Sequence, residues 1–128
     1  MKNIQTHVLG FPRIGAQREL KAALESHWRG ATSEAELEAT GAQLRARHWA
    51  LQAEAGLDHV TVGDFAYYDQ VANHIQLFGC EPARFGFYEQ TPLARYFIMA
   101  RGESVPHRLR PSMTITAAGA TTAATRST

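Results

Sequence analysis

Two short segments of this 128-residue chain are the only ones with the pattern of a β-strand. They are residues 4–10 and 57–62, and a glycine-containing loop follows each of them. Helical patterns separate the two segments, which favours parallel strands joined by crossover helices. Two parallel strands do not form a stable sheet alone, and a closed β/α barrel needs eight strands and roughly 250 residues. The sequence therefore predicts an α/β fold that is an incomplete, N-terminal part of a β/α (TIM) barrel.

Four helices are predicted from apolar periodicity and from residues that favour helix ends. The clearest start is Ser33, because Glu36 three residues later completes the spacing of a capping box. The last helix has Thr91 as its N-cap and Pro92 at its first position. Gly41 is the weakest internal point of the second helix. The predicted helices cover residues 17–29, 33–56, 67–78 and 91–102, with residues 82–90 as loop.

Composition divides the chain into two unlike parts. All six phenylalanines, four tyrosines and two tryptophans lie at or before Phe97, and all 12 acids lie at or before Glu103. The remaining residues are rich in Ala, Thr, Ser and Gly and carry only basic charges. We therefore expect a domain over residues 1–102 and a divergent, disordered tail over residues 103–128.

The charge balance and the cysteine content limit the partners and the compartment. The formal net charge is only +1, so we expect no nucleic-acid partner and no anionic membrane partner. No apolar run approaches the roughly 18 residues of a membrane span, and the N-terminus does not resemble a signal peptide. The single Cys80 cannot form an internal disulfide, and the six histidines lack the spacing of a helical metal site. These features predict a cytoplasmic protein with no metal ligands in this chain.

The loop after the first strand-like segment carries three cations. Arg13, Arg18 and Lys21 lie within nine residues, near the start of a predicted helix whose free N–H groups also favour anions. An anionic ligand is one interpretation. The alternative is that Arg18 and Lys21 lie on a solvated face, with Glu19 offsetting part of their charge.

The loop over residues 63–69 follows the second strand-like segment and combines two carboxylates with three aromatic rings. Such a combination suits a flat heterocycle that needs stacking and polar anchoring. The alternative is that Asp64 caps the following helix while Phe65 and Tyr68 pack in the core.

Six motifs, in order over about residues 3–102, then point to a family. They lie at residues 7–15, 18–21, 45–49, 62–69, 82–84 and 95–102. These motifs closely resemble the N-terminus of cobalamin-independent methionine synthase. That family transfers a methyl group from 5-methyltetrahydropteroyltriglutamate to homocysteine, with a zinc ion and two facing β/α barrels.

The resemblance implies a folate-polyglutamate site at Arg18, Glu19, Leu20 and Lys21. Arg13 and Asp64 are additional candidates for substrate binding. A triglutamate tail is a polyanion, and two cations at a helix start can hold it through charge-assisted hydrogen bonds.

The resemblance also implies what this chain lacks. In the family the zinc ligands, the homocysteine contacts and the general acid lie in the C-terminal barrel, to which nothing here corresponds. We therefore expect no catalytic residue and no metal ligand in this chain, which leaves its status as an enzyme open. The expected function is an N-terminal portion of a methionine synthase, inactive alone, that retains part of the folate site.

Two alternatives to that function remain. In the first, the chain is a stand-alone binding or interaction module. In the second, it is a subunit that complements a separately encoded remainder. The loss of acids and aromatic residues after Glu103 leads to the further hypothesis that the tail is read from a shifted frame or follows a truncation.

Overall fold

The computed structural model describes residues 4–102, and the predicted disordered tail lies outside the described residues. This part of the chain contains four α-helices, as the sequence predicts, and a short 3₁₀ helix in the predicted loop. None of its helices is long and apolar enough to cross a membrane. The elements are α1 (Glu19–Trp28), α2 (Glu34–Glu54), α3 (Gln70–Leu77), the 3₁₀ helix (Ala83–Phe85) and α4 (Pro92–Arg101).

Local sequence signals fix the starts of α2 and α4. The Ser33 hydroxyl accepts a hydrogen bond from the Glu36 N–H at 3.2 Å, and the Glu36 carboxylate accepts one from the Ser33 N–H at 2.6 Å. The bond from the Ser33 N–H is the largest cause that lowers the pKa of Glu36. At α4, the Thr91 hydroxyl accepts from the Ala94 N–H at 3.2 Å. Both predicted caps are confirmed.

The prediction of two β-strands is wrong for the described residues, which contain no strand. The two segments nevertheless lie side by side and run in the same direction. The Thr6 carbonyl accepts from the N–H groups of Asp58 and His59, at 3.1 and 3.2 Å, and two residues further along the Val8 carbonyl accepts from the Thr61 hydroxyl. Most of the remaining bonds between the segments involve side chains, so no backbone ladder forms.

The physical reason is the absence of cover for these segments within the described residues. Parallel pairs are weak and normally occur with neighbouring strands and with both faces buried. Here Leu9 is 92% exposed and Val62 is 60% exposed. The described part of the chain is therefore helical, and the strand-like sequence pattern does not produce a sheet in it.

The third helix begins later than predicted. Asp69 is its N-cap, with the carboxylate accepting from the Ala72 N–H at 2.7 Å, so α3 starts at Gln70 rather than at residue 67. The interpretation of Asp64 as the helix cap is therefore wrong. The residues before α3 are held instead by Tyr96 of α4, whose hydroxyl accepts from the N–H groups of Tyr68 and Asp69.

One apolar core joins the helices. Helix α1 packs against α2, and α3 packs against α4. Leu20 of α1 and Leu37 of α2 are the largest fully buried side chains. The core consists of Leu20, Leu24, Leu37, Leu44, Ala72, Leu93, Tyr96 and Phe97.

Candidate functional site

Arg18 lies immediately before α1 in a left-handed backbone conformation, with φ 60° and ψ 33°. This conformation costs a residue with a Cβ atom roughly 1–2 kcal/mol relative to the right-handed region. The Arg18 N–H donates to the Gly15 carbonyl at 3.1 Å, and its carbonyl accepts from the Ala22 N–H. The backbone is thus held on both sides, while the side chain is exposed to solvent.

Glu19 turns back from α1 onto the preceding loop. Its carboxylate accepts from the Gln17 N–H at 3.0 Å and pairs with the Arg47 guanidinium of α2 at 2.7 Å. A hydrogen bond from its own backbone N–H and the bond from Arg47 lower the pKa of Glu19. Gly15 makes room for this carboxylate, since a Cβ atom there would lie 2.1 Å from the nearer Glu19 oxygen.

This arrangement changes the electrostatics that the sequence predicts for the start of α1. The Glu19 carboxylate already occupies the positive end of the helix, and the Leu20 N–H donates to the Ile14 carbonyl at 3.1 Å. An incoming anion would therefore meet the side chains of Arg18 and Lys21 rather than free backbone donors.

Leu20 and Lys21 have opposite environments. Leu20 is 0% exposed and belongs to the core, so its side chain cannot contact a ligand. The Lys21 ammonium is exposed and lies 3.5 Å from the Glu25 carboxylate, one helical turn further along. Of the four predicted residues, only Arg18 and Lys21 present cationic side chains to solvent, and that of Lys21 is paired with Glu25.

Arg13 and Asp64 join the two loops that follow the strand-like segments. The Arg13 guanidinium donates to the Tyr68 carbonyl at 2.9 Å, and the Asp64 carboxylate accepts from the Phe11 N–H at 2.6 Å. Both residues line a shallow depression of about 10 Å³ that does not include Arg18 or Lys21. Its lining residues are Phe11, Arg13, Arg45, His48, Trp49, Gln52, Asp64 and Phe65.

The shallow depression is too small for the predicted heterocycle, because this volume corresponds to about one water molecule. The alternative interpretation, packing in the core, is confirmed for Phe65 and wrong for Tyr68. Phe65 packs against the core and meets Tyr67 edge to face at 5.3 Å between ring centres. Tyr68 is half-exposed and packs edge to face with Trp28.

Arg47 is the residue near the predicted site that sequence reasoning missed. It lies 28 residues from its partner Glu19, so no local spacing could reveal the pair. His48, the residue after Arg47, is buried against Phe11 with 4.7 Å between ring centres. Burial, with a smaller contribution from the charge of Arg47, lowers the pKa of His48.

Zinc, which the resemblance implies for the full-length family, has no ligand set among residues 4–102. No three His, Cys, Asp or Glu side chains in that range are grouped closely enough to hold a metal ion. Cys80, the one thiol of the chain, is exposed and free.

Comparison with known proteins identifies the family. Residues 5–116 match the family described as the N-terminal domain of cobalamin-independent synthase, and the chain belongs to that family. A relative from Ralstonia pickettii is 63% identical over 99 residues, which are 77% of this chain and 13% of the relative. One from Paraburkholderia xenovorans is 56% identical over 113 residues, 88% of this chain and 14% of the relative.

A third relative, from Syntrophotalea carbinolica, is 52% identical over 112 residues, 87% of this chain and 15% of the relative. All three are named 5-methyltetrahydropteroyltriglutamate–homocysteine methyltransferase. The chain thus resembles part of a cobalamin-independent methionine synthase and spans about one seventh of the length of these relatives.

Proposed function

We propose that this chain supplies a binding surface for the polyglutamate tail of 5-methyltetrahydropteroyltriglutamate within a homocysteine methyltransferase. The observation that carries the proposal is the difference in exposure and pairing among the side chains at the start of α1. Arg18 and Lys21 are exposed, Leu20 is buried, and Arg47 neutralises the one acid between them. Methyl transfer itself belongs to the complete enzyme.

Charge and geometry support a carboxylate-rich ligand at this surface. Arginine presents a planar fork of donors that matches a carboxylate, and lysine adds a mobile point charge. Each exposed ion pair is worth only about 0.2–1 kcal/mol. Two such contacts of about 0.7 kcal/mol each, within that range, together change an affinity by roughly tenfold, so we expect weak binding that depends on the glutamate chain.

The proposal extends to the architecture of the domain. Segments 4–10 and 57–62 run in the same direction, and the loops that follow them carry Arg13, Arg18 and Asp64. This arrangement supports residues 1–102 as the opening part of a β/α barrel, whose loops after the strands hold the ligand. The family match extends to residue 116, so we propose a separate tail only for the residues beyond it. The free Cys80 supports a cytoplasmic, reducing location.

Titration calorimetry with 5-methyltetrahydropteroyltriglutamate tests the binding proposal. We expect the double variant Arg18→Ala, Lys21→Ala to bind about tenfold more weakly than the natural chain. Arg29→Gln removes one cation just beyond the other end of α1 and serves as the control. Equal affinity of the double variant and the natural chain would contradict the assignment of the binding surface to Arg18 and Lys21.

A second candidate function is complementation of a separately encoded remainder of the methyltransferase. The exposed apolar side chains of both strand-like segments favour it, since such surfaces usually meet another protein surface. Co-purification of the chain with that remainder under native expression is the test. A sharp thermal transition and a monodisperse chain would favour a stand-alone binding module instead.

A further inference from the structure

We propose that Arg47 is a positioning residue for anion binding at the start of α1, because it neutralises the carboxylate that lies between the two ligand-facing cations. This inference rests on the proposed polyglutamate site and adds a residue from a different helix to it. Arg47 belongs to α2, and the carboxylate is that of Glu19 in the first turn of α1.

Packing between α1 and α2 determines where the Arg47 guanidinium lies. Leu44 is three residues before Arg47, so both side chains project from the same side of α2. Leu44 is buried and approaches Gly15, where a Cβ atom would lie 3.0 Å from its methyl group. Helix α2 is thereby anchored against the loop that leads into α1, and the Arg47 guanidinium reaches the Glu19 carboxylate at 2.7 Å.

The same carboxylate also organises the loop that carries Arg18. One Glu19 oxygen accepts from the Gln17 N–H, while the other takes the bond from Arg47. The side chain therefore points back toward Gly15 and away from the solvent face of α1. Only 30% of the Glu19 side chain is exposed, against about half of Lys21.

Removal of Arg47 changes the charge that a ligand meets. Arg18, Lys21 and Arg47 carry three positive charges against the negative charges of Glu19 and of Glu25, which pairs with Lys21. Without Arg47, the unpaired Glu19 carboxylate competes with the carboxylates of the ligand for the two remaining cations. Within the described residues, His48 is the only other titratable side chain of α2 that acts electrostatically on Glu19. Burial lowers the pKa of His48, which disfavours its positively charged form.

Four variants of the full chain test this inference by calorimetric titration with 5-methyltetrahydropteroyltriglutamate. We expect Arg47→Gln to weaken binding about threefold to tenfold, the range of one to two exposed charge contacts. Arg47→Lys keeps the positive charge and should bind as the natural chain does. The double variant Glu19→Gln, Arg47→Gln should restore most of the affinity lost in Arg47→Gln, because it removes the competing charge and keeps an amide oxygen that accepts from the Gln17 N–H. Arg29→Gln is the matched arginine control.

The outcomes separate this inference from the proposed function. If the Arg18→Ala, Lys21→Ala variant loses affinity and Arg47→Gln does not, the positioning role is wrong and the proposed site stands. If the double variant at positions 19 and 47 binds as weakly as Arg47→Gln, neutralisation is not the mechanism and the inference is overturned. If Arg47→Gln does not fold, binding by the double variant at positions 19 and 47 that is much weaker than that of the natural chain still contradicts the inference. If the Arg18→Ala, Lys21→Ala variant binds the ligand as tightly as the natural chain does, the proposed function and the inference are both wrong.

Discussion

Asp58 and Thr6 lie 52 residues apart in the sequence and are joined by hydrogen bonds of both backbone and side-chain groups. The Asp58 carboxylate accepts from the Thr6 N–H at 2.7 Å and from the Thr6 hydroxyl at 2.9 Å. In return, the Thr6 carbonyl accepts from the Asp58 N–H at 3.1 Å. This reciprocal contact aligns the two strand-like segments in the same direction where no backbone ladder forms.

Stability at low pH tests the Asp58 contact. The N–H and the hydroxyl of Thr6 lower the pKa of Asp58. A folded-state pKa below the unfolded one stabilises the fold above about pH 3.9, and this stabilisation is lost as the pH falls through the lower, folded value. Asp58→Asn should therefore lower the Tm by a few degrees at pH 7, and the difference from the natural chain should vanish below the folded-state pKa.

Glu38→Gln is the control for Asp58→Asn. Glu38 is an exposed residue of α2 whose side chain has no hydrogen bond or ion pair to any described residue. Its substitution should leave the Tm unchanged at both pH values. A difference between Asp58→Asn and the natural chain that persists at acid pH would contradict the role of the Asp58 charge.

Removal of the Tyr96 hydroxyl of α4 should lower the stability of the fold more than Asp58→Asn does. Tyr96 is 2% exposed, and its hydroxyl accepts from the N–H groups of Tyr68 and Asp69 and donates to the Asp69 carbonyl at 2.9 Å. Tyr96→Phe leaves the N–H groups of Tyr68 and Asp69 without this partner, while the Asp69 carbonyl still accepts from the Asn73 N–H, and should lower the free energy of unfolding by about 1–3 kcal/mol in urea titrations. Tyr88→Phe, at an 88% exposed position, should change it by less than about 0.5 kcal/mol.

Gly41 in α2 gives a prediction in which packing opposes helix propensity. In an open helix, Gly→Ala stabilises by about 1 kcal/mol. Here a Cβ atom at Gly41 would lie 2.6 Å from the Tyr67 hydroxyl oxygen. Gly41→Ala should therefore destabilise the natural chain by about 1–3 kcal/mol, the usual cost of overpacking.

The background variant Tyr67→Ala separates the two effects at Gly41. With the ring removed, Gly41→Ala should become stabilising by up to about 1 kcal/mol. Urea unfolding of all four combinations provides the measurement. Destabilisation by the same amount in both backgrounds would show that contact with Tyr67 is not the cause.

The helices could be predicted because their determinants lie within a few residues of each other. Ser33 with Glu36, and Thr91 with Pro92, satisfy or remove backbone donors locally, so the correct starts follow from sequence alone. The absence of strands from residues 4–102 could not be predicted in this way. Their formation depends on neighbouring strands and on cover for side chains such as Leu9, which the local pattern does not contain.

The candidate site was predictable only in part, for the same reason. The cationic spacing of Arg18 and Lys21 and the buried apolar character of Leu20 are readable from the chain. The pairing of Glu19 with Arg47 depends on how α1 and α2 pack, which no spacing within either helix reveals. Similarly, the choice of Asp69 rather than Asp64 as a helix cap follows from the contact of Asp64 with Phe11 in the other loop.

Selectivity for glutamate chain length tests the central claim most directly. Calorimetry with the monoglutamate and triglutamate forms of 5-methyltetrahydrofolate gives the ratio of their affinities for one protein. Because both forms carry the same pterin, its contribution to the affinity cancels in this ratio. For the natural chain we predict that the triglutamate binds up to roughly tenfold more tightly. For the Arg18→Ala, Lys21→Ala variant we predict a ratio near one. An unchanged ratio in that variant would contradict the account.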